Sequence, residues 1–245
     1  MTTYQAVTTF SREGYECYGK RFVESFAQHW PIPLAVYHES QRDVLLFNSV
    51  DWRNLDHDPD RAAFLIKHGM DPDKVGHERD PNSQAIRFCH KVFAVTDAAR
   101  RCTADWLLWI DADVETTRAV TPDDLARCLP ETASLSFLGR RNYKYTECGF
   151  VGYRVSEQPV QALLEDMSRY YTTGEIFTRP RSDWHDSRCF DLCRERSTVP
   201  KERQVSIAPQ GLLTTHVWQH SPLGAFSVHN KGPGRKARAY GSIVR

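Results

Sequence analysis

The chain has 245 residues, enough for one large α/β domain with a substantial core. Its 40% hydrophobic and 26% charged residues are those of a soluble globular protein, and a net charge of +1 excludes a nucleic-acid partner held by overall charge alone. There is no apolar run of about 18 residues and no basic start followed by an apolar stretch, so neither a membrane span nor a secretion signal is expected. Cys17, Cys89, Cys102, Cys128, Cys148, Cys189 and Cys193 are odd in number and lack a C-x-x-C pair. That pattern fits reduced thiols in a cytoplasm better than a disulfide framework or a zinc site.

Residues 4–10 read as a first strand, closed by the loop Ser11-Arg-Glu-Gly14. Tyr15, Tyr18, Phe22, Phe26 and Trp30 then recur at steps of three or four, one apolar face of a helix that Pro31 ends. Two short strands are expected at 34–37 and 44–50. Residues 51–83 are rich in Asp, His, Pro and Gly, with a helical pattern only at 62–66, and read as a long insertion over one edge of a sheet. The next helix, 84–101, sets Ile86, Cys89, Phe93 and Thr96 on one face and Arg87 and Lys91 on another. Two like charges one turn apart call for an acid opposite them or for solvent around both.

Trp106-Leu-Leu-Trp-Ile110 has no polar alternation, which is how a strand buried on both faces of a mostly parallel sheet reads. It stops at Asp111-Ala-Asp113. Open α/β sheets bind ligands beyond the carboxyl ends of their strands, so two carboxylates there can hold Mg²⁺ or Mn²⁺ and, through it, a phosphate. A strand ending in a polar turn gives the same letters.

A short helix at 122–128 and a strand at 133–138 lead to Gly139-Arg-Arg-Asn-Tyr-Lys-Tyr145, whose bases and tyrosines suit stacking and phosphate contact, or a solvated loop. Residues 147–153 read as a strand whose glycines let something approach the backbone closely. A helix at 159–171 precedes Asp183-Trp-His-Asp186, which opens a further helix at 187–193. An acid beside an aromatic at a helix start suits a general base or a sugar-hydroxyl contact, and equally an N-cap with a packing Trp. Finally, the apolar residues 225–228, read as a sheet edge, run into His229-Asn-Lys-Gly232-Pro-Gly-Arg235-Lys236. Residues 231–245 hold five bases and no acid. The histidine can complete a cation site and the glycines and bases can wrap a diphosphate, or the segment is a basic tail. The alternation of strands and helices argues for a layered α/β fold in a single domain.

Asp111-x-Asp113 behind a buried strand, with His229-x-x-Gly232-x-x-Arg235 downstream, resembles the metal-dependent glycosyltransferases of the GT-A fold, including the glycogenin-like and bacterial galactosyltransferase families. Arginine stands where that motif usually has lysine. The likeness also takes in Arg87 and Lys91, Glu147-Cys-Gly-Phe150 and Trp184-His-Asp186, while residues 51–83 match nothing in it. A narrower likeness is to phage-type glycosyltransferases that decorate modified DNA bases. The resemblance implies a GT-A type, Rossmann-like, mostly parallel sheet flanked by helices, a UDP- or GDP-sugar donor, and Mn²⁺ or Mg²⁺. It implies that Asp113 and His229 ligate the cation and that Asp111 shares it or touches the ribose. It assigns Thr8 and Thr9 to the nucleoside, Arg87 and Lys91 to the donor side, and Lys231, Gly232 and Arg235 to the diphosphate. Tyr143, Glu147 and Trp184 would meet the acceptor, and Asp186 or Asp183 would be the base of an inverting reaction. The acceptor so implied is a hydroxymethylated pyrimidine in DNA, with a glycan, lipid-linked saccharide or protein as the alternative. A non-catalytic nucleic-acid or carbohydrate binding module would keep the fold without needing Asp113 and His229 to converge. A nucleotidyltransferase is disfavoured because Ser11–Gly14 has a single glycine.

Overall fold

Strand β1 (Tyr4–Phe10) leads through helix α1 (Arg12–Gly14) and a π-helical turn (Tyr15–Gly19) into α2 (Lys20–His29), followed by β2 (Leu34–His38) and β3 (Val50–Asn54). Helices α3 (Pro59–His68), α4 (Pro72–Val75) and α5 (Ala85–Arg101) precede the apolar strand β4 (Trp106–Ile110). Then come β5 (Val114–Thr116), α6 (Pro122–Cys128), β6 (Leu135–Leu138), β7 (Glu147–Tyr153), α7 (Gln158–Thr172), α8 (Asp186–Arg196), β8 (Gln204–Ser206) and β9 (Ser227–His229). This computed structural model describes residues 2–39, 45–75, 84–140, 145–210, 214 and 216–231.

Seven strands form one sheet in the order β3-β2-β1-β4-β7-β6-β8. All neighbours are parallel except at β7, which runs against both β4 and β6. The chain lays down β1, β2 and β3 in one direction and then returns to place β4 on the other side of β1. The order therefore reverses between β1 and β4, the switch point at whose carboxyl end such sheets open a crevice. Helices cover both faces. Val7, Leu107 and Trp109 pack with residues of α3, α5, α7 and α8, while Ala6, Phe10, Leu108 and Ile110 pack with residues of α2 and α6. The result is an α/β architecture compatible with a Rossmann-like fold. A second, two-stranded sheet joins β5 to β9 antiparallel, with Val114 opposite His229. No helix among the described residues is long and apolar enough to cross a membrane.

Strands β1, β4 and β7 and helix α6 keep the bounds expected from the sequence; three stretches differ. The strand expected at 44–50 starts only at Val50. Of the apolar residues before it, Leu46 is 87% exposed, and the chain pairs instead through Val50–Asn54, with Val50 opposite Leu34. As an edge strand, β3 tolerates polar residues: Arg53 bridges Asp51 and Tyr37. The single helix expected from Tyr15 to Trp30 begins with the π-helical turn, a local widening that an apolar spacing does not reveal.

Nor is the segment after Asp51 an insertion laid over the sheet. It supplies β3, α3 and α4, with Leu55 and Phe64 fully buried. Its polar residues are punctuation: Asp58 caps α3 by accepting from the Arg61 amide at 2.7 Å, and Pro59 occupies the first turn. Phe64 meets Phe93 of α5, Tyr171 of α7 and Phe177 at ring separations of 5.5 to 6.0 Å. Residues 76–83 lie outside the described residues. Replacing Phe64 by alanine is expected to lower the unfolding free energy by about 3–5 kcal/mol in a urea titration. A loss below about 1 kcal/mol would show that α3 is not part of the core.

Candidate metal centre

Three ligand-type side chains from distant parts of the chain meet beyond the carboxyl end of β4. Asp111 follows the last residue of the strand and donates its amide to the Gly149 carbonyl at 2.8 Å, so β7 fixes its backbone. Asp113 precedes β5, and its carbonyl accepts from the Asn230 amide at 2.9 Å. The β5–β9 pairing then sets His229 beside it. Nε2 of His229 is 3.0 Å from Oδ1 of Asp113 and 3.7 Å from Oδ2 of Asp111. One ligand atom from each residue falls within 4.8 Å of the other two. Adjacent ligands of an octahedral ion with bonds near 2.1 Å lie about 3 Å apart, so the His229–Asp113 spacing already suits a small hard cation.

The surroundings hold these groups in place. Nε1 of Trp109 donates to Oδ1 of Asp111 at 2.7 Å. Nζ of Lys91 lies 3.1 Å from the same oxygen and 2.8 Å from Oδ2 of Asp186, donates to the Cys148 carbonyl, and sits 4.6 Å from the Trp109 ring centre. On the far side of His229, Oε1 of Glu147 is 3.3 Å from Nδ1. Gly149 makes room for the ring: a Cβ there would come within 2.7 Å of Cε1 of His229. Of the two glycines of β7, Gly149 admits this histidine close to the backbone, while Gly152 makes room for Leu129 and Trp106.

Among the described residues, Asp111, Asp113, Glu147 and Asp186 meet Lys91, Lys231 and the His229 ring. Burial pushes His229 towards neutrality, but Asp113 above all, with Glu147 and Asp111, outweighs it and raises the ring to about 9. Burial raises Glu147, yet His229 and Lys231 bring it down to about 2. Asp186 likewise ends below the usual carboxylate range, burial being overcome by Lys91. A proton held by this histidine is what a divalent cation would displace.

Of the residues singled out in the sequence, Asp111, Asp113, His229, Lys91, Asp186, Glu147 and Lys231 come together here. The acid expected opposite the Arg87–Lys91 pair exists for Lys91, as Asp111 and Asp186. Arg87 is exposed and donates to Gln84 at 3.2 Å. Thr8 is fully buried at the carboxyl end of β1, its hydroxyl without a hydrogen-bond partner among the described residues, whereas Thr9 spends its hydroxyl on the Tyr37 carbonyl at 2.7 Å. Tyr143, Gly232 and Arg235 lie outside the described residues.

Three placements correct the sequence reading. Glu147 is behind His229 and not on an acceptor-facing surface. Trp184 is buried, edge-on to Phe177 at 5.0 Å, with its ring nitrogen bound to the Arg179 carbonyl, so it is a packing residue and not an open platform. Asp183 is taken up by Arg188 at 3.3 Å and by the Tyr145 hydroxyl. The cap of α8 is neither aspartate but Nδ1 of His185, 3.3 Å from the Arg188 amide. Tyr18 was not legible as a site residue. It sits within the electrostatic reach of Asp113, Asp111 and Arg87, with its phenol pushed up to about 12, chiefly by burial.

The chain matches no model of a known protein family and no curated protein sequence.

Two outcomes follow from this geometry. Glu147, depressed to about 2, contributes stability that is lost as pH falls below its ordinary 4.5; His229, raised to about 9, contributes stability present below its ordinary 6.5 and lost as pH rises towards 9. Chelator-treated protein should therefore resist urea best between those two ordinary values, and His229→Gln should flatten the alkaline side; an unchanged profile would refute the pairing. Gly149→Ala, by crowding His229, should weaken Mn²⁺ binding about tenfold or more in calorimetry, and full retention of affinity would show that the ring does not sit where described.

Proposed function

We propose that this protein moves a sugar from a nucleotide-sugar donor to an acceptor hydroxyl with the help of Mn²⁺ or Mg²⁺, on a GT-A type version of the α/β sheet. The observation that carries the proposal is the convergence of Asp111, Asp113 and His229 at the carboxyl edge of the sheet, next to the switch point between β1 and β4. Carboxylate and imidazole donors suit such a cation. When bound, it would neutralise the diphosphate that leaves with the nucleotide.

The chain's own groups divide the remaining work. The carboxyl end of β1 borders the crevice where a nucleoside would lie, although the Thr8 side chain itself is fully buried, and Lys231, 3.5 Å from Glu147, brings a further positive charge to the same edge. Lys91 fixes Asp111 and keeps Asp186 ionised. Of the two proposed bases, Asp186 is the one at the site; its ion pair with Lys91 preserves the carboxylate while weakening it as a proton acceptor. A binding module without catalysis would not need this convergence.

For the acceptor, the first candidate is a hydroxymethylated pyrimidine in DNA, on the strength of the bases and tyrosines of 140–145 and the basic residues of 231–245. A saccharide acceptor draws support from a separate feature, a cavity of about 510 Å³ next to the start of β7. It is lined by Arg140, Tyr145, Asp191, Arg194 and Gln210 among others, a mixture of aromatic surface with donors and acceptors.

Asp113→Asn and His229→Ala are each expected to reduce metal-dependent turnover of UDP- and GDP-sugars by about 100-fold or more. Full activity in either variant would remove the metal assignment. Labelled donors offered with hydroxymethylated DNA, plain DNA and oligosaccharides decide the acceptor: label in oligosaccharide and none in modified DNA would overturn the DNA proposal.

A further inference from the structure

A carboxylate buried behind a histidine is costly unless something uses its charge. Glu147 is only 1% exposed. Its Oε1 faces Nδ1 of His229 at 3.3 Å and Nζ of Lys231 at 3.5 Å, and its Oε2 is buried without a hydrogen-bond partner among the described residues. The start of β7 is held rigidly in this position. Thr146 donates its amide and its hydroxyl to the two oxygens of Asp191 in α8, at 2.9 and 2.6 Å. Two residues after Glu147, Gly149 lets the imidazole lie against the strand.

An imidazole has two nitrogens, and which of them keeps a lone pair depends on what the other one meets. Here Nδ1 meets a carboxylate, which favours a proton on that nitrogen. Nε2 meets Asp113 and Asp111. We propose that Glu147 is a positioning residue of the cation centre: it holds the proton of His229 on Nδ1 and orients the ring, so that the Nε2 lone pair is directed between Asp113 and Asp111. The role rests on the reading of those three residues as a cation site. It makes Glu147 a partner of the histidine and not a ligand of the cation or a contact of an acceptor. Lys231 adds a positive charge 3.5 Å from the same Oε1.

The test uses the whole protein, as wild type, Glu147→Gln and Glu147→Ala. Mn²⁺ affinity is read by calorimetry, and the protonated nitrogen of His229 by ¹⁵N NMR of chelator-treated protein, above the ring's pKa of about 9. Wild type should carry its proton on Nδ1. Glu147→Ala should shift it towards Nε2 and weaken Mn²⁺ by about 10–100-fold. Glu147→Gln, which keeps the shape and an acceptor oxygen, should fall between, and it carries the test if the alanine variant does not fold. A wild-type proton on Nε2, or a Glu147→Ala protein with unchanged tautomer and unchanged Mn²⁺ affinity, overturns the role of Glu147 alone. Wild-type protein that takes up no Mn²⁺ removes the cation site and this role with it.

Discussion

Carboxylates held close together with little water between them repel one another, and the arrangement around β4 is shaped by that repulsion. Asp111 and Asp113 stand at the end of a strand whose five residues are all buried. Each has to be given a hydrogen bond or an opposite charge, because an ion taken out of water without a partner costs several kcal/mol. Lys91 and the Trp109 nitrogen serve Asp111; His229 serves Asp113. Lys91 in turn needs more than one acid to remain charged in so buried a place, and Asp186 at the start of α8 supplies the second. Helix α5, helix α8 and the small β5–β9 sheet are thus tied to one point by charge as well as by packing.

Among the described residues, four carboxylates share the crevice between β1 and β4 with Lys91, Lys231 and the His229 ring. The neighbouring main chain is satisfied, with the Asp111 amide on Gly149 and the Asp113 carbonyl on Asn230. The cluster is therefore held by side-chain charge, the kind of interaction that a cation would also make.

Much of this was readable from the letters, and the part that was not has physical reasons. The apolar run of β4, the Asp pair after it and the short helix at 122–128 are local features, so sequence patterning found them. His229 was readable only as a donor type at the end of a short strand. That it meets Asp113 depends on a two-stranded pairing between segments more than a hundred residues apart, which no local pattern encodes. The segment after Asp51 misled because helix caps and turns use the same Asp, Pro and Gly that mark loops; the apolar run 62–66 around Phe64 read as a helical pattern but was too short to announce a core element. Trp184 and Glu147 failed in opposite ways: an aromatic beside an acid looks like a platform until its ring is found in the core, and a strand-opening Glu looks like a surface residue until a histidine is found against it.

The reversed direction of β7 sets how the rim of the crevice is built. Parallel strands deliver only their last residues to the crevice, whereas β7, running the other way, delivers its first. The connection from Leu138 of β6 to Glu147 of β7 therefore returns to the same rim as the acidic cluster. Its two ends are pinned, by sheet pairing on one side and by the Thr146–Asp191 bonds on the other. Asp111, Asp113 and His229 are carried by other elements, so the rim is assembled from separate parts of the chain.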